Sequence, residues 1–245
     1  DTECTGFCNV TGGSRATFAT GMAVTQACEE VIADCKRRAA MTWGVDEDQV
    51  EWEDGYAVPG PGVNADVNPL SLADIAGKAG RTGGPITARA SINAQGAGAS
   101  FSLNFADVRV DPETGKTEVL QYTAVQDAGK AIHPAYVEGQ MQGGAVQGIG
   151  WALNEEYIYS EDGIMENAGF LDYRIPVASD LPMIDTEIVE VPNPSHPYGV
   201  RGVGETPIVA PLAVMTNAIS RGLGKRMYEL PLSPPRILER LDEDA

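Results

Sequence analysis

The chain has 245 residues, with 17 Lys and Arg against 35 Asp and Glu, a formal net charge of −18 that argues against a nucleic-acid partner. Hydrophobic residues make up 43% and charged residues 21%, which excludes disorder as a description of the whole chain. No apolar run reaches the roughly 18–20 residues of a transmembrane helix, so no membrane partner is expected. The opening Asp1-Thr2-Glu3-Cys4 has neither a basic nor an apolar leader segment and no initiator Met. It therefore reads as a processed chain or a piece of something longer, soluble and cytoplasmic. Cys4 and Cys8 are four apart and Cys28 and Cys35 seven apart, with no further ligand completing a zinc or iron-sulfur spacing. Reduced thiols and no protein-ligated metal are expected.

In chain order, apolar residues at 22, 24, 27, 31, 32 and 35 predict an amphipathic helix from Thr17 through Trp43. Val50 and Trp52 alternate with acids up to a Glu53-Asp54-Gly55 turn, predicting a short hairpin, and 57–69 reads as loop. Ser71 and Asp74 have the spacing of a capping box at the start of a short helix. Phe101, Leu103 and Phe105 open a strand that continues through Val110, turns at Asp111–Lys116 and returns over Val119–Val125. A Gly-rich helix is predicted for Val137–Leu153, strands for Tyr157–Tyr159 and Ile184–Val191, and a helix for Pro207–Arg221 with Pro207 in its first turn. A final short helix follows Pro234. Five glycines in one helix cost about 1 kcal/mol each against Ala, so close packing against another element or a bulky ligand is expected there.

Four glycine-rich segments carry the chemical signal. Thr11-Gly12-Gly13-Ser14-Arg15 precedes a helix, and reads either as a phosphate-holding nest or as a turn with an exposed Arg. Gly139 through Gly150 contains two such segments but lacks the G-x-G-x-x-G order and the preceding strand of a dinucleotide fold. Arg201-Gly202-Val203-Gly204-Glu205 ends on an acid just before a predicted helix. Glu205 is then either an acid complementing a helix dipole or a general base presented by a glycine-walled loop. His133 and His196 each precede Pro and read as surface turn residues.

Taken together, these segments resemble the C-terminal half of the molybdenum-binding subunit of the xanthine dehydrogenase and aldehyde oxidase family. The likeness rests on 11–17, Gln126-Asp127-Ala128-Gly129, Ile132-His133-Pro134, Gly139 through Gly150, Asn154-Glu155-Glu156, Tyr173-Arg174-Ile175-Pro176 and Gly204-Glu205, and so spans nearly the whole chain. It implies that Glu205 is the catalytic base, that Gly139 and Gln140 lie beside the pterin, and that Gly12, Gly13 and Ser14 floor the molybdenum site. Ser14 and Arg15 become candidate cofactor contacts, with Gly204 carrying the glutamate. It further implies an α+β fold of two mixed subdomains, 1–130 and 131–245, packed around an elongated molybdopterin, expected in its cytosine dinucleotide form. The implied activity is oxidation of an N-heteroaromatic compound or an aldehyde with water as the oxygen source. Partner chains should carry [2Fe-2S] clusters and FAD. The family's subunit is far longer, so the first half of the site should come from a separate chain or from a cleaved precursor. A carbon monoxide dehydrogenase-type subunit and a non-catalytic assembly subunit are the competing readings.

Overall fold

The computed structural model describes residues 3, 4, 6–63, 66–95 and 98–243. The chain divides into two compact units. Ala19–Ala94 form the smaller, and the residues up to Phe18 together with those from Gln95 onward form the larger. This corrects the expected boundary near residue 130. The strand that ends at Asp127 pairs with one at Ile184–Val189, so residues on both sides of 130 share one core, while 19–94 has a core of its own.

In the smaller unit, α1 (Gly21–Trp43) ends where Gly44 turns left-handed and returns its N–H to Ala40 O at 2.8 Å. Strands β1 (Val50–Glu53), β2 (Tyr56–Pro59) and β3 (Leu70–Ser71) make an antiparallel sheet, so part of the expected 57–69 loop is strand. Asp54 and Gly55 both have positive φ, the geometry of a tight two-residue hairpin turn. The predicted capping box is present at the head of α2 (Leu72–Gly77): Ser71 Oγ accepts from Asp74 N at 3.2 Å, and Asp74 Oδ2 accepts from Ser71 N at 3.0 Å. A further turn, α3 (Ala79–Thr82), escaped the sequence reading.

The apolar stripe of α1 is buried mainly in its C-terminal half, where Cys35, Ala39 and Ala40 meet Val50, Ala57 and Ile75, while Val24 stays exposed. Four-residue strands reach only about 13 Å, against about 35 Å for a 23-residue helix, so the sheet cannot cover the whole stripe. Arg38 is buried in this core. It is neutralised by Asp34 at 2.7 Å and donates to the Gly84 carbonyl at 2.5 Å.

The larger unit is a three-stranded sheet of β4 (Phe101–Val110), β5 (Thr117–Asp127) and β6 (Ile184–Val189), covered on one face by α4 (Pro134–Leu153) and α5 (Thr206–Leu223). β4 and β5 are antiparallel, and β5 and β6 are parallel, joined by a crossover that contains α4. Tyr122, Met141, Ile149, Met215 and Ile219 fill the core, and α6 (Pro234–Asp242) adds Ile237. The expected strand at Tyr157–Tyr159 is only a single bridge, Tyr159 to Met165. Residues 164–166 pair with it briefly, Ser160 N donating to Ile164 O at 2.9 Å and Glu166 N to Ile158 O at 2.8 Å, and Asn167 ends the pairing by accepting from Ile158 N at 2.9 Å and donating to Glu156 O at 2.6 Å.

Two glycines of α4 explain how closely the helices approach. A Cβ at Gly144 would lie 2.8 Å from Pro207 Cβ, and one at Gly148 would lie 2.7 Å from the Ile208 carbonyl and 2.8 Å from Pro211 Cβ. Gly143, by contrast, faces open space. Gly148→Ala is therefore expected to destabilise the chain by about 1–3 kcal/mol through overpacking. Gly143→Ala should stabilise it by up to about 1 kcal/mol through helix propensity alone. Urea unfolding of the two variants checks the opposite signs.

Candidate functional site

Residues 200–206 form a loop held from beneath by the sheet. Val200 bridges to Gly129, and Arg201 N donates to Ala128 O at 3.1 Å. The Arg201 side chain donates to Val191 O at 2.9 Å and Ala99 O at 2.5 Å, and pairs with Asp127 at 3.2 Å. Asp127 uses its other oxygen to accept from Gly129 N at 2.9 Å and Val191 N at 3.1 Å. Further along, the buried Gln126 side chain donates to Gly202 O at 3.3 Å, and Ser102 Oγ donates to Thr206 O at 3.4 Å. The loop thus rests on the ends of β4, β5 and β6.

Glu205 is the N-cap residue of α5, yet its side chain makes no capping hydrogen bond to its own helix. Its carboxylate instead accepts from Gly13 N at 3.0 Å, across 192 residues of chain, and its backbone N–H donates to Ser14 Oγ at 2.9 Å. Gly13 and Ser14 both have positive φ, +64° and +57°, which for Ser is uncommon. The carboxylate of Glu205 thus remains at the N-terminus of α5, where the helix dipole favours an acid, but its hydrogen-bond partner lies outside that helix. The carboxylate is exposed, so the described residues do not themselves enclose it.

A cleft of about 520 Å³ opens beside this pair, within the size range of small-molecule sites. Gly12, Ser14, Arg15, Gln140, Gly204 and Glu205 all line it. Gly13 joins through its hydrogen bond to Glu205. Gly139 does not line the cleft, and a Cβ there would meet nothing within 4 Å.

Three cations reach this wall. Lys130 is paired with Glu190 at 3.0 Å and Arg201 with Asp127, while Arg15 has no hydrogen-bond or ion-pair partner among the described residues. The Ala131 N–H and then Lys130 hold the Glu190 carboxyl below the usual carboxylate range. Arg15 and the Gln140 amide are thus half-buried and exposed donors, respectively, that the described protein atoms leave available to a ligand.

Sequence reasoning missed one wall residue, His133, and misplaced the other histidine. His133 is the N-cap of α4, its Nδ1 accepting from Tyr136 N at 3.3 Å, and its ring stacks on Tyr136 at 4.0 Å between centroids. The His-Pro dipeptide before a helix was the available signal, since Pro at the first helical position favours a side-chain cap before it. His196, read as a surface residue, is buried: its Nε2 lies 3.1 Å from Phe18 O and its Nδ1 accepts from Tyr198 N at 3.1 Å.

Fold and cleft together set a glycine turn, a glutamate loop and a glycine-rich helix around one opening, a geometry suited to a polar, anionic small molecule. The chain belongs to the molybdopterin cofactor-binding domain family, whose model matches residues 1–182. It is 32% identical over 242 residues to the 6-hydroxypseudooxynicotine dehydrogenase complex subunit gamma of Paenarthrobacter nicotinovorans, covering 93% of this chain and 29% of that one. Among solved structures, quinoline 2-oxidoreductase from Pseudomonas putida 86 superposes with a TM-score of 0.80 at 29% identity, over 94% of this chain and 30% of the other. A Cu,Mo-CO dehydrogenase superposes with a TM-score of 0.85 at 24% identity, over 97% and 31%. The chain therefore spans about 30% of the length of these relatives. The α+β fold is that of molybdenum hydroxylase large subunits. No helix among the described residues is long and apolar enough to cross a membrane.

The donor set fits molybdopterin, a group that presents a phosphate and a hydrogen-bonding ring system. An unpaired guanidinium, a free amide and glycine backbone at close range are the chemistry such a ligand needs. Truncating Asp127 should loosen the loop that carries Glu205, because three segments lose their common acceptor. Asp127→Ala is expected to cost about 1.5–3 kcal/mol or more in urea unfolding. It should also speed amide exchange in peptides covering 199–206.

Proposed function

We propose that the chain is the part of a molybdenum hydroxylase that carries the catalytic base, acting on an N-heteroaromatic compound or an aldehyde with water as the oxygen source. The observation that carries this reading is Glu205, an N-cap acid that leaves its own helix uncapped and is held by the Gly13 N–H at the edge of the cleft. An acid serving only the helix dipole needs no partner across the chain.

Arg15 and Gln140 would hold the cofactor through charge-assisted and amide hydrogen bonds. Gly12, Gly13, Ser14 and Gly204 allow backbone to approach it, and Gly139 leaves room beside Gln140. When bound, the cofactor supplies the electron-accepting and oxygen-transfer chemistry that no side chain here provides. Glu205 has one oxygen anchored on Gly13 N, which leaves Oε2 to take the proton from the water-derived oxygen as it attacks the substrate carbon. His133, Tyr136 and Val137 form the apolar and aromatic side of the same wall, suited to a flat ring.

An N-heteroaromatic substrate is supported by the quinoline enzyme at 29% identity and by the 6-hydroxypseudooxynicotine dehydrogenase subunit at 32%. A carbon monoxide dehydrogenase large chain of Hydrogenophaga pseudoflava is also 29% identical, over 95% of this chain, so the carbon monoxide reading stands as the alternative. The cytosine dinucleotide form of the cofactor, [2Fe-2S] and FAD partner chains and a cytoplasmic location complete the proposal.

A polypeptide accounting for the rest of the relatives' length is the proposed direct partner. The outer face of the sheet supports it. Phe101, Leu103 and Phe105 are 67%, 60% and 56% exposed, while Ser102 and Asn104 point toward the helices, so the larger apolar side chains of β4 face outward. Phe105→Asp should leave the thermal melt of the isolated chain nearly unchanged and sharply reduce its recovery with that partner. Unimpaired co-purification would remove this surface from the proposal.

Glu205→Gln tests the function itself. The amide keeps an oxygen for Gly13 N but cannot accept the proton. Turnover per molybdenum, assayed with quinoline, an aldehyde and carbon monoxide, should fall by about 10²–10⁴-fold. Molybdenum content should hold, and stability should change by no more than about 1 kcal/mol. More than about a tenth of wild-type turnover would exclude Glu205 as the base and favour a non-catalytic subunit.

A further inference from the structure

We propose that Ser14 is a positioning residue for Glu205, acting on the protein rather than chiefly on the cofactor, and that the Gly13-Ser14 turn is a clasp that sets the proton-accepting oxygen. The inference rests on Glu205 being the base.

The geometry is reciprocal. Ser14 Oγ accepts from the backbone N–H of Glu205 at 2.9 Å, while the backbone N–H of Gly13 donates to Glu205 Oε1 at 3.0 Å. One turn thus grips both the main chain and the side-chain end of the same residue. A carboxylate held at its backbone and at one oxygen loses most of its rotational freedom. Its second oxygen is then presented in one direction, which is what a proton acceptor needs before substrate arrives.

Shape enforces the same contact. A Cβ at Gly202 would lie 2.7 Å from Ser14 Cβ, and one at Gly204 would lie 3.4 Å from Ser14 Oγ. The two glycines of the glutamate loop leave the space that Ser14 fills. Gly202 is buried and tied beneath by Gln126, so the loop cannot simply retreat from a larger neighbour. Ser14 also holds a φ of +57°, which costs a non-glycine residue and persists only where surrounding contacts determine it. Those contacts are with Glu205 and its loop. The donor role of the hydroxyl remains available, so a cofactor contact can coexist with the clasp but does not account for it.

The test uses the assembled enzyme with Ser14→Ala, Glu205→Gln and the double variant. Ser14→Gly, which relieves the positive φ while deleting the same hydroxyl, serves if Ser14→Ala fails to assemble. Ser14→Ala should lower kcat by about 10–100-fold with little change in KM, the effect of a misplaced catalytic group, and should leave molybdenum content intact. In the Glu205→Gln background the same change should cost almost nothing further, because the two residues act as a unit. Amide exchange in peptides covering 202–206 supplies a readout independent of turnover. With Ser14 truncated, the Glu205 amide should exchange about tenfold faster, the equivalent of one ordinary hydrogen bond, in both cofactor-loaded and cofactor-free protein. Unchanged exchange would overturn the clasp. So would a full Ser14→Ala loss repeated in the Glu205→Gln background, or a loss of kcat that only tracks lost molybdenum. If Glu205→Gln alone retains high turnover, the base reading falls and the clasp is judged by the exchange data alone.

Discussion

The arrangement depends on one close contact, where Gly144 and Gly148 of α4 receive Pro207 and Pro211 of α5. Residue numbers increase together along both helices at this contact, so the helices run parallel, with their N-termini at the same end of the core. No side chain separates them. The pair sits on β4, β5 and β6, and both His133, which caps α4, and Glu205, which begins α5, line the cleft. The register of the contact is staggered: Pro207, in the first turn of α5, meets Gly144, past the middle of α4, so the first half of α4 runs on beyond α5 and contributes His133, Tyr136, Val137 and Gln140 to the cleft wall. The packing that costs helix propensity in α4 therefore also sets where Glu205 stands against that wall.

Placing an acid at such a point creates a competition. The unpaired N–H groups of the first helical turn are the nearest partners for Glu205, and an acid satisfied by them would be directed inward along α5. The Gly13 N–H offers another partner on the cleft side, and the carboxylate takes it. Position in the loop then comes from beneath, where Asp127 gathers the ends of β5 and β6 and pairs with Arg201. Side-chain direction comes from the opposite side, through the Gly13-Ser14 turn. Rigidity of the sheet is in this way transmitted to a single carboxylate through few bonds, most of them made by residues at strand ends.

The long elements were legible because their signals are local. The period of α1, the capping box at Ser71 and Asp74, and the alternation in β4 and β5 all express contacts between near neighbours in sequence. What sequence could not give was partnership. The glycines of α4 announced a close neighbour, but nothing local distinguishes Gly144 and Gly148, which meet prolines, from Gly139 and Gly143, which meet open space. Alternation of Phe101, Leu103 and Phe105 gave the strand without saying which face would be covered. The 154–183 segment carries apolar residues like a strand's, yet its pairing is confined to a short turn-back at 158–166, which the Asn167 side chain closes off. At the site, Glu205, Ser14, Arg15 and Gln140 were found through family pattern, and the structure brings them to one cleft. The Ser14 to Glu205 contact spans 191 residues and has no trace in either local sequence.

A net charge of −18 opposes an anionic ligand only over short distances. Exposed charges are screened beyond about 8 Å at physiological ionic strength, so most of the acidic surface contributes little field inside the cleft. What a ligand meets is set by the first layer of groups. There Lys130 and Arg201 are already matched by Glu190 and Asp127, which removes two cations that would otherwise attract any anion without selection. Arg15 remains, half-buried on the turn that also grips Glu205. On the proposed function, charge recognition and placement of the base fall to adjacent residues of one five-residue segment. A ligand engaging Arg15 would then be referred to the same backbone that fixes the carboxylate, so that covalent geometry would set the position of the anion against that of Glu205.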